Sequence, residues 1–426
     1  MHSVFFCNLG CSKNLVDGEL MIEHLRRSGY IVTQSAVEAE VIIVNTCAFI
    51  EAAKVEAIDK ILEMAMFKKN GRCTKLVVCG CFSQRFRESA AKDFPEVDLW
   101  AGMEDWRELF AAHLNAVASP TFARALSLPH ATQYLKIAEG CSHKCAFCAI
   151  PSIRGEFRSR KPLDIIEEAK WLAGEGVKEC ILVAQDSSFY GKDIATSLAE
   201  LLEDMLLHTP FSWIRVMYLH PMMVDDNLLR LYATQPRLCP YFDIPLQHAS
   251  DSVLMSMRRT PLSKGIRSLI GRIRSTVPDA AIRTAFIAGF PGETEAQFED
   301  LLSFVEEMKF DKVGIFPFSA EEGTLAFSMR PRPRASTVSR RCDTLMSIQR
   351  EISADINTSR IGRIVEVIID SESDAAGFLC MGRTRWDAPE VDGNVYVKGK
   401  EIQAGSIVQI KIYDADEYDL YGELVE

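Results

Sequence analysis

A chain of 426 residues is too long for one ordinary domain, and its 48% hydrophobic and 25% charged residues are the balance of a globular protein with two or three cores. It has no apolar run long enough to span a bilayer and no start resembling a signal peptide, so a cytoplasmic protein without a membrane partner is expected. The net charge of −11 tells against sequence-independent nucleic-acid binding, which depends on Lys and Arg neutralising phosphates, and it leaves room for a basic partner.

The first segment alternates strands and helices. Val4-Phe5-Phe6, Val41 to Val44 and Leu76-Val77-Val78 read as short buried strands, each followed by a helical pattern such as Leu15 to Arg27, which predicts a small parallel-sheet α/β domain. A cysteine stands just after each strand: Cys11 in Leu9-Gly10-Cys11-Ser12-Lys13-Asn14, Cys47 in Asn45-Thr46-Cys47-Ala48-Phe49-Ile50, and Cys81 in Cys79-Gly80-Cys81-Phe82. Ligands collect beyond the carboxyl ends of strands in open α/β sheets, so the three thiols are expected to converge, and helix N-termini favour their thiolate forms. Three buried structural cysteines are the alternative. Cys7 and Cys79 fall inside or at the end of strands and read as packing residues. Thirteen cysteines, an odd number in glycine-flanked clusters, suit reduced metal ligands better than a disulfide framework.

Ser119 to Gln133, with Pro120 and Pro129, reads as a linker. The strand Tyr134 to Ala138 then delivers the chain into Glu139-Gly140-Cys141-Ser142-His143-Lys144-Cys145-Ala146-Phe147-Cys148, a CxxxCxxC loop. Three thiolates this close, with no fourth cysteine nearby, suit a 4Fe-4S cluster with one iron left open. A structural zinc site would need His143 or a distant fourth ligand. His143 is expected to face solvent or support the loop, and Arg154, Arg158 and Arg160 beyond it read as a solvated basic face, with binding of a carboxylate as the alternative.

Six strand-like runs follow in all, counting the first: Cys180 to Val183, Ile214 to Met217, Tyr241 to Ile244, Ile282 to Ile287 and Val313 to Phe316 are the others. Helical patterns lie between them at Leu163 to Ala173, Ser197 to Leu207, Asp225 to Ala233, Lys264 to Ser275 and Glu295 to Met308. Six alternations predict a partial (β/α)6 barrel, with its active site at the carboxyl ends of the strands. Arg330-Pro331-Arg332-Pro333-Arg334 ends the barrel and precedes a helix from Ser336 to about Ile356. From Arg360 the pattern is all-β, with runs at Ile364 to Ile369, Gly377 to Thr384, Gly393 to Val397 and Ile407 to Tyr413, which predicts a small antiparallel barrel of about five strands. This tail carries seven Lys or Arg against fourteen Asp or Glu, a net −7. Three domains are expected, at 1–119, 133–330 and 360–426. Cys73, Cys180, Cys239, Cys342 and Cys380 stand singly and read as structural.

The CxxxCxxC loop entering a partial barrel resembles the radical S-adenosylmethionine enzymes. Phe147, between the second and third cysteines, matches the aromatic residue beside the cofactor adenine. The resemblance implies that Cys141, Cys145 and Cys148 hold three irons of a 4Fe-4S cluster while S-adenosyl-L-methionine chelates the fourth. One electron from an external donor then cleaves the sulfonium, giving a 5′-deoxyadenosyl radical able to abstract hydrogen from an unactivated carbon. Val183-Ala184-Gln185-Asp186 matches the strand end that binds the methionine part. Gly289 and Gly292, in Ile287-Ala288-Gly289-Phe290-Pro291-Gly292-Glu293, match the turn that lets the backbone approach the adenosine.

The N-terminal motifs Gly10-Cys11-Ser12-Lys13-Asn14-Leu15-Val16-Asp17, Asn45 to Ile50 and Gly80-Cys81-Phe82-Ser83-Gln84-Arg85 narrow this to the methylthiotransferases, a resemblance that covers essentially the whole chain. It implies a Rossmann-like N-terminal domain, a TIM-like radical barrel and a TRAM tail, with a second 4Fe-4S cluster on Cys11, Cys47 and Cys81 that donates the methylthio group. No side chain is assigned as a catalytic acid or base. Ala138 to Cys141, Cys148-Ala149-Ile150-Pro151-Ser152-Ile153-Arg154-Gly155, Val183 to Asp186 and Asp243-Ile244-Pro245-Leu246-Gln247-His248 resemble the branch acting on an aspartate of ribosomal protein S twelve of the small subunit, rather than the branch acting on a tRNA adenosine. An acidic tail fits a basic ribosomal protein, since a tRNA-gripping TRAM domain should be basic. The chain departs from the family pattern at Gly18, Phe82 and Arg258-Arg259-Thr260-Pro261, positions expected to bear on the shape of the substrate groove.

Overall fold

Strands that carry apolar side chains toward both faces must be covered on both. In the computed structural model, which describes residues 2–116, 122–127, 131–399 and 402–425, such runs form the centre of the N-terminal sheet. Its strands are β1 Ser3–Asn8, β2 Ile31–Val32, β3 Val41–Thr46, β4 Lys75–Gly80 and β5 Leu99–Trp100, all parallel, in the order β2-β1-β3-β4-β5. The two-residue period sends Ile42, Val44, Leu76 and Val78 into one apolar cluster and Val41, Ile43, Val77 and Cys79 into the other. Helices Ser12–Arg27, Glu51–Ala65, Cys81–Asp93 and Trp106–Leu114 complete the alternation. Pro120 and Pro129 of the expected linker lie outside the described residues.

By packing, the chain falls into two compact units. The first holds Met1–Ser127, Ala138–Arg160 and Ser319–Phe327, and the second holds Leu128–Ile137, Lys161–Phe318 and Ser328–Glu426. The CxxxCxxC loop therefore packs with the N-terminal sheet. Its following helix, Ile150–Arg154, is the reason: Ala149 and Ile153 are buried in the same apolar cluster as Cys81, Phe82 and Val44. A short ribbon of β7 Ala138–Glu139 and β8 Arg158–Ser159 closes the base of the loop, and β6 Thr132–Lys136, which precedes it, ends before Ile137 instead of running on to Ala138.

In the second unit the six predicted strands appear as β6, β9 Glu179–Val183, β10 Trp213–Val216, β11 Tyr241–Asp243, β12 Ala281–Ala288 and β13 Lys312–Pro317. They form two parallel sheets, β10-β9-β6 and β11-β12-β13, tied together where Leu219 N donates to Asp243 O at 2.8 Å. The five expected helices appear between them as Pro162–Gly174, Leu198–His208, Asp226–Thr234, Ser263–Thr276 and Glu295–Met308, each within a residue or so of its expected span, and a short helix, Asp251–Ser256, is added after β11. Ser197 with Glu200, and Thr294 with Gln297, build reciprocal caps that satisfy the first N–H groups of two of them.

After the helix Ala335–Thr358, β14 Ile364–Glu372, β15 Cys380–Thr384, β16 Val395–Lys398, β17 Ile407–Ala415 and β18 Leu420–Leu424 close a barrel in the order β14-β15-β16-β18-β17. The barrel is antiparallel except at β16–β18, which pair parallel. This barrel joins the strands of the same unit through buried ions. Glu179, wholly buried, accepts from Arg215 Nε at 2.8 Å and pairs with Arg383 at 2.9 Å, and Arg383 also meets Asp370 at 2.7 Å. Burial pushes the Glu179 carboxyl up, but Arg383 and Arg215 outweigh it and hold the carboxyl below its ordinary value of 4.5. A depressed carboxyl contributes stability that is present above its unfolded value and lost as pH falls through the folded one. Glu179→Ala leaves two buried guanidinium groups short of a partner and should destabilise the fold by about 3–5 kcal/mol in urea unfolding at pH 7. Glu179→Gln should flatten the loss of stability expected of the parent protein as pH falls below that ordinary value of 4.5.

Candidate metal centres

All three N-terminal cysteines stand at the carboxyl edge of the parallel sheet, as expected. Cys11 is the N-cap residue of Ser12–Arg27, Cys47 directly follows β3, and Cys81 opens Cys81–Asp93 directly after β4. The loops are laced together by side-chain amides. Asn14 Nδ2 donates to Leu9 O at 3.1 Å and Thr46 O at 2.9 Å, while Asn45 Nδ2 donates to Asn14 O at 2.8 Å and Asn8 Oδ1 at 2.6 Å. Cys81 Sγ approaches Asn14 Oδ1 at 3.5 Å. Glycines make the close approach possible: at Gly80, with φ +89°, a Cβ would collide with Asn45 Oδ1 and the Thr46 backbone, and at Gly10, with φ +95°, it would stand 2.8 Å from Cys47 Cβ.

Among the described residues no group of three or more His, Cys, Asp or Glu side chains stands close enough together to hold a metal ion as placed. What the fold brings together is a set of thiols near enough to sense one another's charge, Cys11 acting on Cys47 and both acting on Cys81. Burial pushes Cys11 up, yet the charges of Lys13 and Arg154 and N–H groups of Asn14 and Lys13 outweigh it, so this thiol lies below its ordinary value. Burial raises Cys47, and it pushes Cys81 up to about 12 against the pull of Arg154. Cys81 is buried and Cys11 and Cys47 half-buried, and thiols gathered so that each opposes another's ionisation are donors of the kind a cation satisfies.

The CxxxCxxC loop is held by its backbone. Cys141 N donates to Gly155 O at 3.0 Å, Cys148 N to Cys145 O at 3.2 Å, and Ser142 Oγ accepts from Phe157 N at 3.1 Å. Gly140, with φ +76°, passes so near Glu156 O that no side chain fits there. Cys141 is buried; Cys145, Phe147, Cys148 and His143 are half-buried. The segment 319–327 clasps both cysteine regions: Arg85 donates to Ala48 O at 2.9 Å and Glu321 Oε2 at 2.8 Å, and Ala326 N donates to Ala146 O at 2.8 Å. Arg154 departs from the expected solvated face. It is 4% exposed, and its guanidinium meets Asn14 Oδ1, Asp17 Oδ2 at 3.2 Å and Glu139 Oε1 at 2.9 Å. Arg158 is exposed, as expected, and pairs with Glu104 at 2.9 Å.

In the second unit, Gln185 follows the carboxyl end of β9 and is half-buried, and Asp186 caps the turn after it by accepting from Ser188 N at 3.0 Å and Phe189 N at 3.2 Å. Gly289 and Gly292 follow β12 with φ of +82° and +84°. Glu293 Oε2 accepts from Phe290 N at 2.9 Å and from Gly289 N, and Arg341 pairs with that carboxylate at 3.1 Å. At Gly289 a Cβ would strike Val338, so that glycine is required by the packing of Ala335–Thr358; at Gly292 the space is open.

Three family models match in chain order. Residues 3–102 match the Uncharacterized protein family UPF0004, 135–305 the Radical SAM superfamily and 361–425 the TRAM domain. Curated relatives match nearly end to end. The ribosomal protein uS12 methylthiotransferase RimO of Sorangium cellulosum is 42% identical over 99% of this chain and 91% of its own, that of Geotalea uraniireducens 43% over 99% and 98%, and that of Aquifex aeolicus 44% over 98% and 96%. The chain belongs to the RimO family. Its membership of the Radical SAM superfamily brings a 4Fe-4S cluster and S-adenosyl-L-methionine as cofactors. Among solved structures, the radical S-adenosylmethionine methyltransferase TsrM from Kitasatospora setae aligns with a TM-score of 0.55 at 12% identity over 88% of this chain and 79% of that one, a likeness of fold alone.

Several residues that organise this RimO-family site were not singled out by spacing: Asn14, Asp17, Asn45, Glu139 and Glu293. Asn14 and Asp17 lie three apart on one helix, next to Cys11, so their shared face toward the thiols was the available signal. The departures at Gly18 and Phe82 fall in the core. A Cβ at Gly18 would meet Asn8 Oδ1 at 2.7 Å and Phe6 Cε1 at 2.9 Å, and Phe82 is buried with its ring 5.4 Å from Phe86 and 6.3 Å from Trp100. Arg259 is buried and donates to Pro245 O at 2.6 Å. Cys73, Cys180, Cys239 and Cys380 are buried and Cys342 half-buried, in keeping with packing roles. Gly80→Ala should destabilise the apoprotein by about 1–3 kcal/mol, because it forces a side chain into a left-handed position with no room for it. Thermal unfolding measures this, and an unchanged melting temperature would contradict the packing described.

Proposed function

We propose that this protein is a radical S-adenosylmethionine methylthiotransferase that adds a methylthio group to the β-carbon of an aspartate of ribosomal protein uS12. The observation that carries the reading is end-to-end similarity to RimO proteins at 41–44% identity, in a chain that places all six motif cysteines in one packing unit. Cys141, Cys145 and Cys148 would hold a 4Fe-4S cluster with one iron open to the cofactor, while Phe147, Gln185, Gly289 and Gly292 would line the cofactor's adenine, methionine and adenosine parts. Cys11, Cys47 and Cys81 would hold a second 4Fe-4S cluster that carries the sulfur to be transferred. When bound, the first cluster and S-adenosyl-L-methionine supply one-electron cleavage of the sulfonium and hydrogen abstraction from an unactivated carbon.

The chain's own residues position these groups. The Cys141 loop is fixed by its hydrogen bonds to Gly155 and Phe157, the second trio by the Asn14 and Asn45 amides, and Arg85 with Glu321 holds the segment that covers both. We divide the work among three domains, 1–119 for sulfur insertion, 133–330 for radical generation and 360–426 for engaging the substrate. The tail's net −7 supports a basic protein substrate over tRNA. An external electron donor and a cytoplasmic setting complete the reading.

The reconstituted enzyme, given a strong reductant, uS12 and tRNA in parallel, should shift the mass of uS12 alone; methylthiolation of tRNA but not of uS12 would overturn the substrate. Replacing any of Cys141, Cys145 or Cys148 with Ala should abolish cofactor cleavage, at least a hundredfold below the parent rate. Replacing Cys11, Cys47 or Cys81 should leave cleavage in place and remove sulfur transfer. Loss of cleavage in the second set would contradict the division of labour.

A further inference from the structure

Arg154 sits on the chain segment of one cysteine trio and makes its contacts at the other. It ends the short helix after Cys148, yet its guanidinium reaches the Cys11 helix, where it meets Asn14 and Asp17 while also holding Glu139 two residues before Cys141. The orientation of Asn14 leaves no alternative. Its Nδ2 is spent on Leu9 O and Thr46 O, so Oδ1 must face Arg154 and Cys81. The charge of Arg154 acts on Cys11, Cys47 and Cys81 alike, and Lys13 is the other cation acting on Cys11.

We propose that Arg154 is a positioning residue that couples the two cysteine sites, holding the Asn14 amide that ties the Cys11, Cys47 and Cys81 loops together and supplying the positive charge that sets the reduction potential of a cluster bound there. The proposal rests on the two-cluster reading above. A guanidinium suits the task because its planar fork engages an amide and two carboxylates at once, which an ammonium cannot do in fixed geometry. A cation beside a cluster favours the reduced state, which carries one more negative charge, and a neighbouring carboxylate disfavours it. Arg154 and Asp17 should therefore move the potential in opposite directions.

The test uses the full-length chain carrying Cys141→Ala, Cys145→Ala and Cys148→Ala, reconstituted with iron and sulfide so that only the second cluster forms, and titrated with dithionite while electron paramagnetic resonance follows the reduced cluster. Arg154→Gln should shift the midpoint to a more negative potential and Asp17→Asn to a more positive one, while Arg154→Lys, which keeps the charge, should return the midpoint close to that of the parent. In the protein with all six cysteines, Arg154→Gln should lower methylthio transfer at least tenfold and by more than it lowers cofactor cleavage. Should Arg154→Gln fail to fold, as judged by thermal unfolding, Asp17→Asn alone still carries the sign of the effect. Iron bound with no shift in either variant, or with both shifts of one sign, overturns this proposal and leaves two clusters standing. Absence of iron from the triple-alanine chain overturns the two-cluster reading and this proposal with it.

Discussion

Strands at the carboxyl edge of a parallel sheet end with carbonyls that no neighbouring strand completes, and in this protein asparagine and threonine side chains satisfy those at the cysteine loops. Asn14 joins the first cysteine loop to the second by donating to Leu9 O and Thr46 O, and Asn45 returns a bond to Asn14 O. Thr46 Oγ1 donates to Cys79 O and so draws in the third loop. Each such bond contributes only about 1 kcal/mol net, but a buried carbonyl left without a donor costs about 1–3 kcal/mol, so the three loops hold their places together or not at all. The positions of Cys11, Cys47 and Cys81 are consequences of this lacing. Gly10 and Gly80 are equally its consequences, because the loops come too close for a side chain at either place.

The same closeness governs ionisation. Burial raises Cys47 and Cys81, and only Cys11, with Lys13, Arg154 and two backbone N–H groups around it, is drawn down. Neutral thiols are thus the stable form of two members of the trio until a cation enters, and iron binding must displace their protons. Arg154 stays charged in turn: burial works against its charge, but Asp17, Glu139 and the thiols hold its own pKa well above the usual arginine range. The positive charge that eases ionisation of one trio is delivered by the segment that carries the other.

Most of the architecture was legible in the sequence. Apolar runs with turn residues between them located β1, β3 and β4 and all six strands of the second unit, because a strand covered on both faces has no reason to alternate. The cysteines were legible as chemistry because thiols in glycine-flanked loops after strands have few other uses. The packing allegiance of the CxxxCxxC loop was not legible. It is decided by Ala149 and Ile153, two ordinary apolar residues that find their core in the N-terminal sheet, and no local pattern reports which of two cores a short helix will join. Arg154 departs from its expected exposure for the same reason. In sequence it stands with Arg158 and Arg160 as a basic run, yet the helix that buries Ile153 carries Arg154 inward while Arg158 stays exposed. In the tail, β18 had no run of its own in the pattern, since Leu420 to Leu424 is interrupted by Gly422 and Glu423; Gly422 is held to glycine by the approach of Ile410 and Lys411.

The charge of the tail also reads differently once burial is known. Its net −7 counts residues that never face a partner: Asp387 pairs with Lys312, Asp370 with Arg383, and Arg360 turns inward to Asp311. Of its charged side chains, the exposed ones among the described residues are Glu372, Asp374, Glu390, Asp414 and Glu423 against Arg363, Lys398 and Lys411. The surface keeps an acidic bias, but a smaller one than composition suggests. A nucleic-acid grip requires several cations aligned on one face to displace counterions from phosphates, and among the described residues the exposed cations number three against five carboxylates, an excess of the wrong sign. Attraction to a basic protein needs less, since a modest field of the right sign already favours encounter and the choice of side chain is left to close contact at the radical site. The tail's electrostatics therefore weigh more heavily as an argument against tRNA than as a description of what binds in its place.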